Sequence, residues 1–312
     1  MIYTITLNPA LDREMTVPEI DLDHVLRAKS IQIDFGGKGF NVSRALLALG
    51  VESTTLGFIG GAIGEQMIMG LAQLGMRTDF VRVQGETRIN LSVVDTNHTH
   101  YIKVNEPGPL VTDIEGTTML DKISSRVRKG DWWILAGSTP PGIQPAFVTE
   151  IIQRIQQAGA FAVLDMEGAC LQEGCASKAF LVKPNAVEAG ELIGNQISTI
   201  HDALGALPQI HRMGAKQVAI SLGKAGAVYS DGSHAWWAEP PLIEQRNPIG
   251  AGDAMLAGMV WALHMDLGGR EVLRWGVACG AAAASLDGTA VGSLPLVESL
   301  ATYVRVGEGS SP

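Results

Sequence analysis

The sequence predicts an α/β fold, with a mostly parallel sheet covered by helices on both faces and a small separate β-sheet. Three observations carry that expectation. Short β-branched runs alternate with segments of helical periodicity along most of the 312 residues. Between residues 75 and 109 the alternation stops and only short strand-like segments occur. The 37 glycines follow no period and are too many for a helical bundle, so they mark numerous tight connections.

Each element has its own signal. "IYTITL", ended by Asn8 and Pro9, reads as a strand, and "FNVSRALLALG" as a helix stopped by Gly50. "STTLGFIG" reads as a strand and "GEQMIMGLAQLG" as a helix closed by Gly75. "FVRVQG", "RINLSVVD" and "HYIKVN" alternate polar and apolar residues with no helix between them, the pattern of antiparallel strands. Together with residues 12–35 they would form an excursion from the larger domain, a lid made of about 12–35 and 87–107. Beyond residue 109, "DIEGTTMLDKISSRV" predicts a helix, "DWWILAG" a strand, "QPAFVTEIIQRIQQAG" a helix and "AFAVLD" a strand. "AFLVKPN", the helical "TIHDALGALPQIHRMG", and the strands "KQVAISLG" and "AGAVYS" follow. Two apolar helices are expected over 254–265 and 270–286, and a disordered tail over 307–312.

Composition narrows the function. With 46% hydrophobic residues the chain can bury a large core in a single domain. A formal net charge of −9 argues against nucleic acid as a partner, although a local group of Arg and Lys can still hold a small anion. Cys170, Cys175 and Cys279 are odd in number and form no C-x-x-C, which points to a reducing compartment, the cytoplasm. No signal-peptide pattern and no membrane-length apolar run is found, so no membrane partner is expected. Familiar phosphate loops fail: Gly37-Lys38 is followed by Gly39 and Gly223-Lys224 by Ala225, where a P-loop needs Ser or Thr. The first strand–helix turn lacks G-x-G-x-x-G. His98 and His100 sit in "TNHTHY", a polar hairpin tip rather than a metal pair.

One stretch does carry chemistry. In "NPIGAGDAMLAG", Gly250, Ala251 and Gly252 precede Asp253 and an apolar helix. Backbone N–H groups at a helix start, aided by the macrodipole, make an anion site. Asp253 could be a mere N-cap, but a helix this apolar is buried, and a carboxylate at its start is costly unless used.

"IGAGDAMLAG" resembles the C-terminal signature of the ribokinase-like, or phosphofructokinase-B, family of sugar kinases. "GGKGFNVSRALLALG" (36–50) resembles the N-terminal one, and "GSTPPG" (137–142), "KPNAVE" (183–188) and "SLGKAGA" (221–227) are similar to its other landmarks, in order. The resemblance spans the whole chain. It implies a single ribokinase-like kinase domain over 1–312, three layers around a mostly parallel sheet with a small β-sheet lid. It also implies ATP-dependent phosphorylation of a sugar hydroxyl with Mg²⁺, and leaves a monovalent cation open.

On that resemblance Asp253 is the expected catalytic base and residues 250–253 the anion hole. Lys183, Asn185, Ser221, Gly223, Lys224, Gly226, Gly250 and Gly252 are expected at the nucleotide, with Asn185 and Glu188 at Mg²⁺ through water. Asp12, Gly36, Gly37, Lys38 and Asn41 would hold the sugar. "YTITLNPALDR" and "TRIN…KVNEPGP" resemble the family's hexose-phosphate branch, so the acceptor would already carry a phosphate. Arg27, Lys38, Arg88 and Lys103 could bind it, with Asn90 and Ser138 as neutral donors. Fructose 1-phosphate is the expected acceptor; tagatose 6-phosphate and fructose 6-phosphate are alternatives, and a non-catalytic sugar-phosphate sensor is a different class. Met166-Glu167 stand where relatives often carry a small polar pair. The alternating, edge-exposed strands, with Ile89, Leu91 and Val93 on one side, predict a homodimer through the lid.

Overall fold

β1 (Ile2–Thr6) explains why an unbroken β-branched run predicts a parallel sheet: it has a parallel neighbour on each edge and is buried along most of its length. The computed structural model describes residues 1–97 and 100–309. From β1 the chain leaves for β2 (Ala10–Val17) and β3 (Ser30–Gly36), then returns through α1 (Lys38–Ala48), β4 (Ser53–Ile59) and α2 (Gly61–Gln73). Two-residue strands β5 (Arg77–Thr78) and β6 (Val81–Arg82) precede a second departure, β7 (Arg88–Asp95) and β8 (Tyr101–Asn105).

Regular alternation then resumes with α3 (Asp113–Arg126), β9 (Trp132–Ala136), α4 (Ala146–Gln157), β10 (Phe161–Asp165), α5 (Gly168–Ala176) and β11 (Leu181–Val182). Next come α6 (Ala186–Ile193), α7 (Ile200–Arg212), β12 (Gln217–Ser221), β13 (Ala227–Ser230) and β14 (Ala235–Glu239). The chain finishes with α8 (Ala251–His264), α9 (Gly269–Ala284), α10 (Leu294–Ala301) and β15 (Arg305–Glu308).

The large sheet runs β15-β14-β13-β12-β11-β10-β9-β1-β4-β5, with β6 also beside β4. It is parallel from β12 to β5 and antiparallel from β12 to β15. One face packs on α3, α4, α5 and α7, the other on α1, α8, α9 and α10, giving two apolar layers. The C-terminal ends of β1, β9, β10, β11 and β12 therefore share one edge, where open α/β sheets carry their ligand sites. Among the described residues no helix is long and apolar enough to cross a membrane.

The second sheet, β3-β2-β7-β8, is separate. Its root packs on α2: Leu11, Phe35 and Ile89 join Phe40, Met67 and Leu71, and Gly70 is needed because an added Cβ would lie 1.9 Å from the Phe35 ring.

Three expectations need correction. "FVRVQG" contributes β6 to the large sheet, parallel to β4, because two residues of pairing are too few for alternation to reveal the partner. β7 runs parallel to β2, so the small sheet is mixed rather than antiparallel; the chain returns to it through the large domain instead of a hairpin. Gly307 and Glu308 belong to β15 rather than to a disordered tail, since the missing side chain of Gly307 makes room for the Trp237 indole. Residues 310–312 of that tail lie outside the described residues.

Candidate active site

α8 begins two residues before Asp253. Gly250, at φ 79°, turns the chain into it, and no side chain caps the helix. The Ala251 N–H is taken by the Pro248 carbonyl at 3.2 Å, while those of Gly252 and Asp253 find no acceptor among the described residues. Asp253 is thus the third residue of the helix and not its cap. It is 7% exposed because α8 is apolar and sandwiched against α1 and α9. Its Oδ2 accepts from Asn41 Nδ2 at 2.8 Å. Burial, with the charge of Asp165, pushes its pKa up to about 6 against the opposing pull of Asn41, Lys183 and Lys38.

Asp165 closes β10 at the edge where these groups meet. It is fully buried and accepts from Lys38 Nζ at 3.1 Å and Lys183 Nζ at 3.0 Å. Burial alone would raise its pKa, but the two ammonium groups outweigh it and hold the carboxyl below its usual range. The Lys38 ammonium loses by burial and gains more from Asp165, Glu188 and Asp253, so its pKa is raised. Sequence reading missed Asp165. The available signal was an aspartate ending a parallel strand at the ligand edge of the sheet.

A cleft of about 910 Å³ opens beside the 250–252 turn. Asn185, Ser221, Gly223, Lys224 and Gly226 line it together with Gly252. Gly226, at φ 110°, lets the turn after β12 lie against β14; an added Cβ would sit 2.0 Å from the Ala238 carbonyl. Apolar walls come from Leu242, Ile243, Met255 and Val277. A flat heterocycle between them, with its phosphates towards the uncapped α8 start, suits that lining.

Residues 6–295 match the profile of the pfkB family of carbohydrate kinases. The chain belongs to this family. It is therefore a sugar kinase, a phosphotransferase that uses ATP. It is 33% identical over 306 residues to 1-phosphofructokinase of Bacillus subtilis strain 168, covering 98% of this chain and 99% of that one. It is 32% identical over 291 residues to ATP-dependent 6-phosphofructokinase isozyme 2 of Escherichia coli K12, covering 92% and 94%. Among solved structures, E. coli phosphofructokinase-2 in complex with potassium superposes with a TM-score of 0.91 at 30% identity, covering 97% and 98%.

Several pfkB positions look different in three dimensions. Asn185 caps α6: its Oδ1 accepts from Val187 N and Glu188 N, both at 2.9 Å, and Glu188 Oε2 accepts from Asn185 N at 2.8 Å. The Asn185 carbonyl is thus engaged by two backbone N–H groups, so a contact with Mg²⁺ at this residue would be one through water, as expected from sequence. Glu188 keeps one free oxygen, and no cluster of three His, Cys, Asp or Glu exists among the described residues. That donor set fits a Mg²⁺ held mainly by phosphate and water. Lys183 is buried, and its ammonium lies 3.7 Å from where a Gly252 Cβ would be. Lys224 is exposed in the turn after β12.

On the small sheet, Asp12 faces Asn90 across the β2–β7 ladder and accepts from its Nδ2 at 2.8 Å. Burial raises the Asp12 pKa, against Asn90 and Lys103. Gly36 must lack a side chain, since a Cβ would lie 2.2 Å from Asp12 Oδ2. Gly37 is the N-cap of α1, and Gly137 passes beside Lys38, leaving Ser138 exposed next to it. Arg88 is less free than its sequence promised: Nη2 donates to the Asn8 carbonyl and Nη1 to that of Glu106, each at 3.0 Å. Lys103 is exposed on β8. Arg27 is exposed in the β2–β3 loop and makes no ion pair among the described residues. Glu167 is exposed at the start of α5, while Met166 is core. His98 lies outside the described residues.

Proposed function

We propose that this kinase phosphorylates a ketohexose phosphate, converting fructose 1-phosphate to fructose 1,6-bisphosphate at the expense of ATP. The observation that carries the reading is Asp253: a buried carboxylate with raised basicity, held by Asn41, at an uncapped helix start between a nucleotide-sized cleft and the small sheet. Asp253 takes the proton of the acceptor hydroxyl while that oxygen bonds the γ-phosphorus and ADP departs. The free N–H groups of Gly252 and Asp253 stabilise charge on the phosphoryl oxygens. Lys183 and Lys38, fixed by Asp165, bring two positive charges to the same place. Mg²⁺, when bound, adds positive charge to the phosphate oxygens, with Glu188 as the residue to hold it through water. Asp12 and Asn90 hold sugar hydroxyls, and the small sheet acts as a lid. Lys103, Arg88 and Arg27 are the cations available for the acceptor's own phosphate. The similarity to proteins named 1-phosphofructokinase supports the acceptor, and a reducing cytoplasm suits the buried free cysteines.

The similarity to 6-phosphofructokinase isozyme 2 favours fructose 6-phosphate as second reading. The test is ADP release from Mg-ATP with fructose 1-phosphate, fructose 6-phosphate, tagatose 6-phosphate and ribose, for wild type and Asp253→Asn. Fastest turnover with fructose 1-phosphate, lost in the variant, is expected. Turnover with ribose alone overturns the acceptor, and tight sugar-phosphate binding without any turnover makes the protein a sensor.

A further inference from the structure

A side-chain node outside the cleft ties the two halves of the site together. We infer that Asp34 and Thr289 are positioning residues for phosphoryl transfer, which keep the small sheet and the 250–252 turn at a fixed separation. The inference rests on the reading of the small sheet as the acceptor platform.

Lys38, Asn41 and Arg44 occupy one face of α1 at intervals of three, and each bonds a different carboxylate: Asp165, Asp253 and Asp34. Arg44 grips Asp34 with both ends of its fork, Nη2 to Oδ1 at 2.7 Å and Nη1 to Oδ2 at 3.3 Å. Nη1 also donates to Thr289 Oγ1 at 3.2 Å, and the Thr289 hydroxyl donates to Asp34 Oδ2. Burial would raise the Asp34 pKa, but Arg44 and Thr289 hold it below its usual range, so these bonds are charge-assisted.

Each end of the node leads to one half of the site. Asp34 stands opposite Asp12 in the β2–β3 ladder. Thr289 sits in the loop after α9, whose Gly288 carbonyl accepts from Asn247 Nδ2 at 2.9 Å and whose Asp287 pairs with Arg246 at 3.1 Å. Asn247 in turn accepts from Ile249 N at 2.9 Å, directly before Gly250. In-line transfer needs the acceptor oxygen and the anion site at a set spacing, and a misplacement of about 1 Å can cost on the order of a hundredfold in rate. Thr289 is the informative position. It does not line the cleft and it is half-buried, and the isosteric valine removes its hydroxyl while keeping its size.

The experiment compares wild type, Thr289→Val and Thr289→Ser, with steady-state kinetics on the best acceptor and calorimetric binding of ADP alone. Thr289→Val should lose about tenfold in kcat while ADP affinity stays within about twofold, and Thr289→Ser should restore the rate. Wild-type kcat in Thr289→Val overturns the inference. So does an equal loss in Thr289→Ser, or a loss of ADP affinity parallel to the loss of rate, which would mark a structural role. Failure of the wild type to turn over any acceptor is a separate result, and it removes the functional reading beneath the inference.

Discussion

Asn41 donates to Asp253 across 212 positions of sequence, 2.8 Å from Nδ2 to Oδ2, and so aims the single buried carboxylate of α8. The other Asp253 oxygen makes no hydrogen bond among the described residues, and on the proposed mechanism it would meet the substrate hydroxyl.

Replacing that carboxylate should separate activity from stability. Asp253→Asn is expected to lose several orders of magnitude in kcat with KM for ATP nearly unchanged. Yet an ionised group whose pKa is raised from 3.8 to about 6 weakens the folded state at neutral pH. By linkage that penalty is on the order of 3 kcal/mol, absent below the unfolded pKa and complete above the folded one. The variant should therefore melt higher than wild type at pH 7 to 8; an unchanged or lower Tm contradicts the buried charge.

The same carboxylate is expected to set the acid limb of the pH profile. As pH falls through about 6, Asp253 becomes protonated and kcat/KM should drop. Asn41→Leu removes a hydrogen bond to the charged form, so the limb should move to higher pH. Profiles of kcat/KM between pH 5 and 8 decide it, with a shift to lower pH as the contrary result.

Asp165→Asn should act in the opposite direction. It removes a negative neighbour that raises the Asp253 pKa and frees two cations that lower it, so the acid limb moves down. It also strands the buried Lys183 ammonium, at a cost of about 3–5 kcal/mol in stability. In wild type the Asp165 contribution is complete above pH 3.8 and disappears as pH falls through its lowered pKa. Denaturant melts at pH 7 and pH 3 measure both parts.

Gly226→Ala places a methyl group against the Ala238 carbonyl at a backbone angle of φ 110°. The turn must shift, so KM for ATP should rise several-fold and stability fall by about 1–3 kcal/mol. A wild-type KM for ATP would detach this turn from the nucleotide.

The small sheet exposes Ile31, Ile33, Ile102 and Val104 on its apolar side, at 58, 43, 37 and 55%. A second copy covering that side would give a homodimer, and Val104→Lys is then expected to dissociate it. Sedimentation of both proteins at micromolar concentration checks this; a wild-type monomer refutes it.

Much of this was legible in sequence because glycine-rich turns announce themselves: residues 36–41 and 250–253 lie far apart in the chain and meet at one point. Asp165 was not legible. One aspartate after an apolar run has no spacing signature, and its meaning comes only from Lys38 and Lys183 arriving by tertiary packing. Asn185 and Glu188 had a readable spacing with two meanings, and the folded chain uses it first as a capping box. The direction of β7 was unreadable for another reason: alternation fixes which side of a strand is apolar, not which way its neighbour runs.

The large sheet ends in β5, two residues long, and β15, four residues long with Arg305 and Glu308 at its limits. Neither margin offers a foreign chain enough unpaired backbone to add a further strand. Short outermost members and a surplus of acidic groups both work against the edge-to-edge growth of a broad, apolar ribbon into fibres.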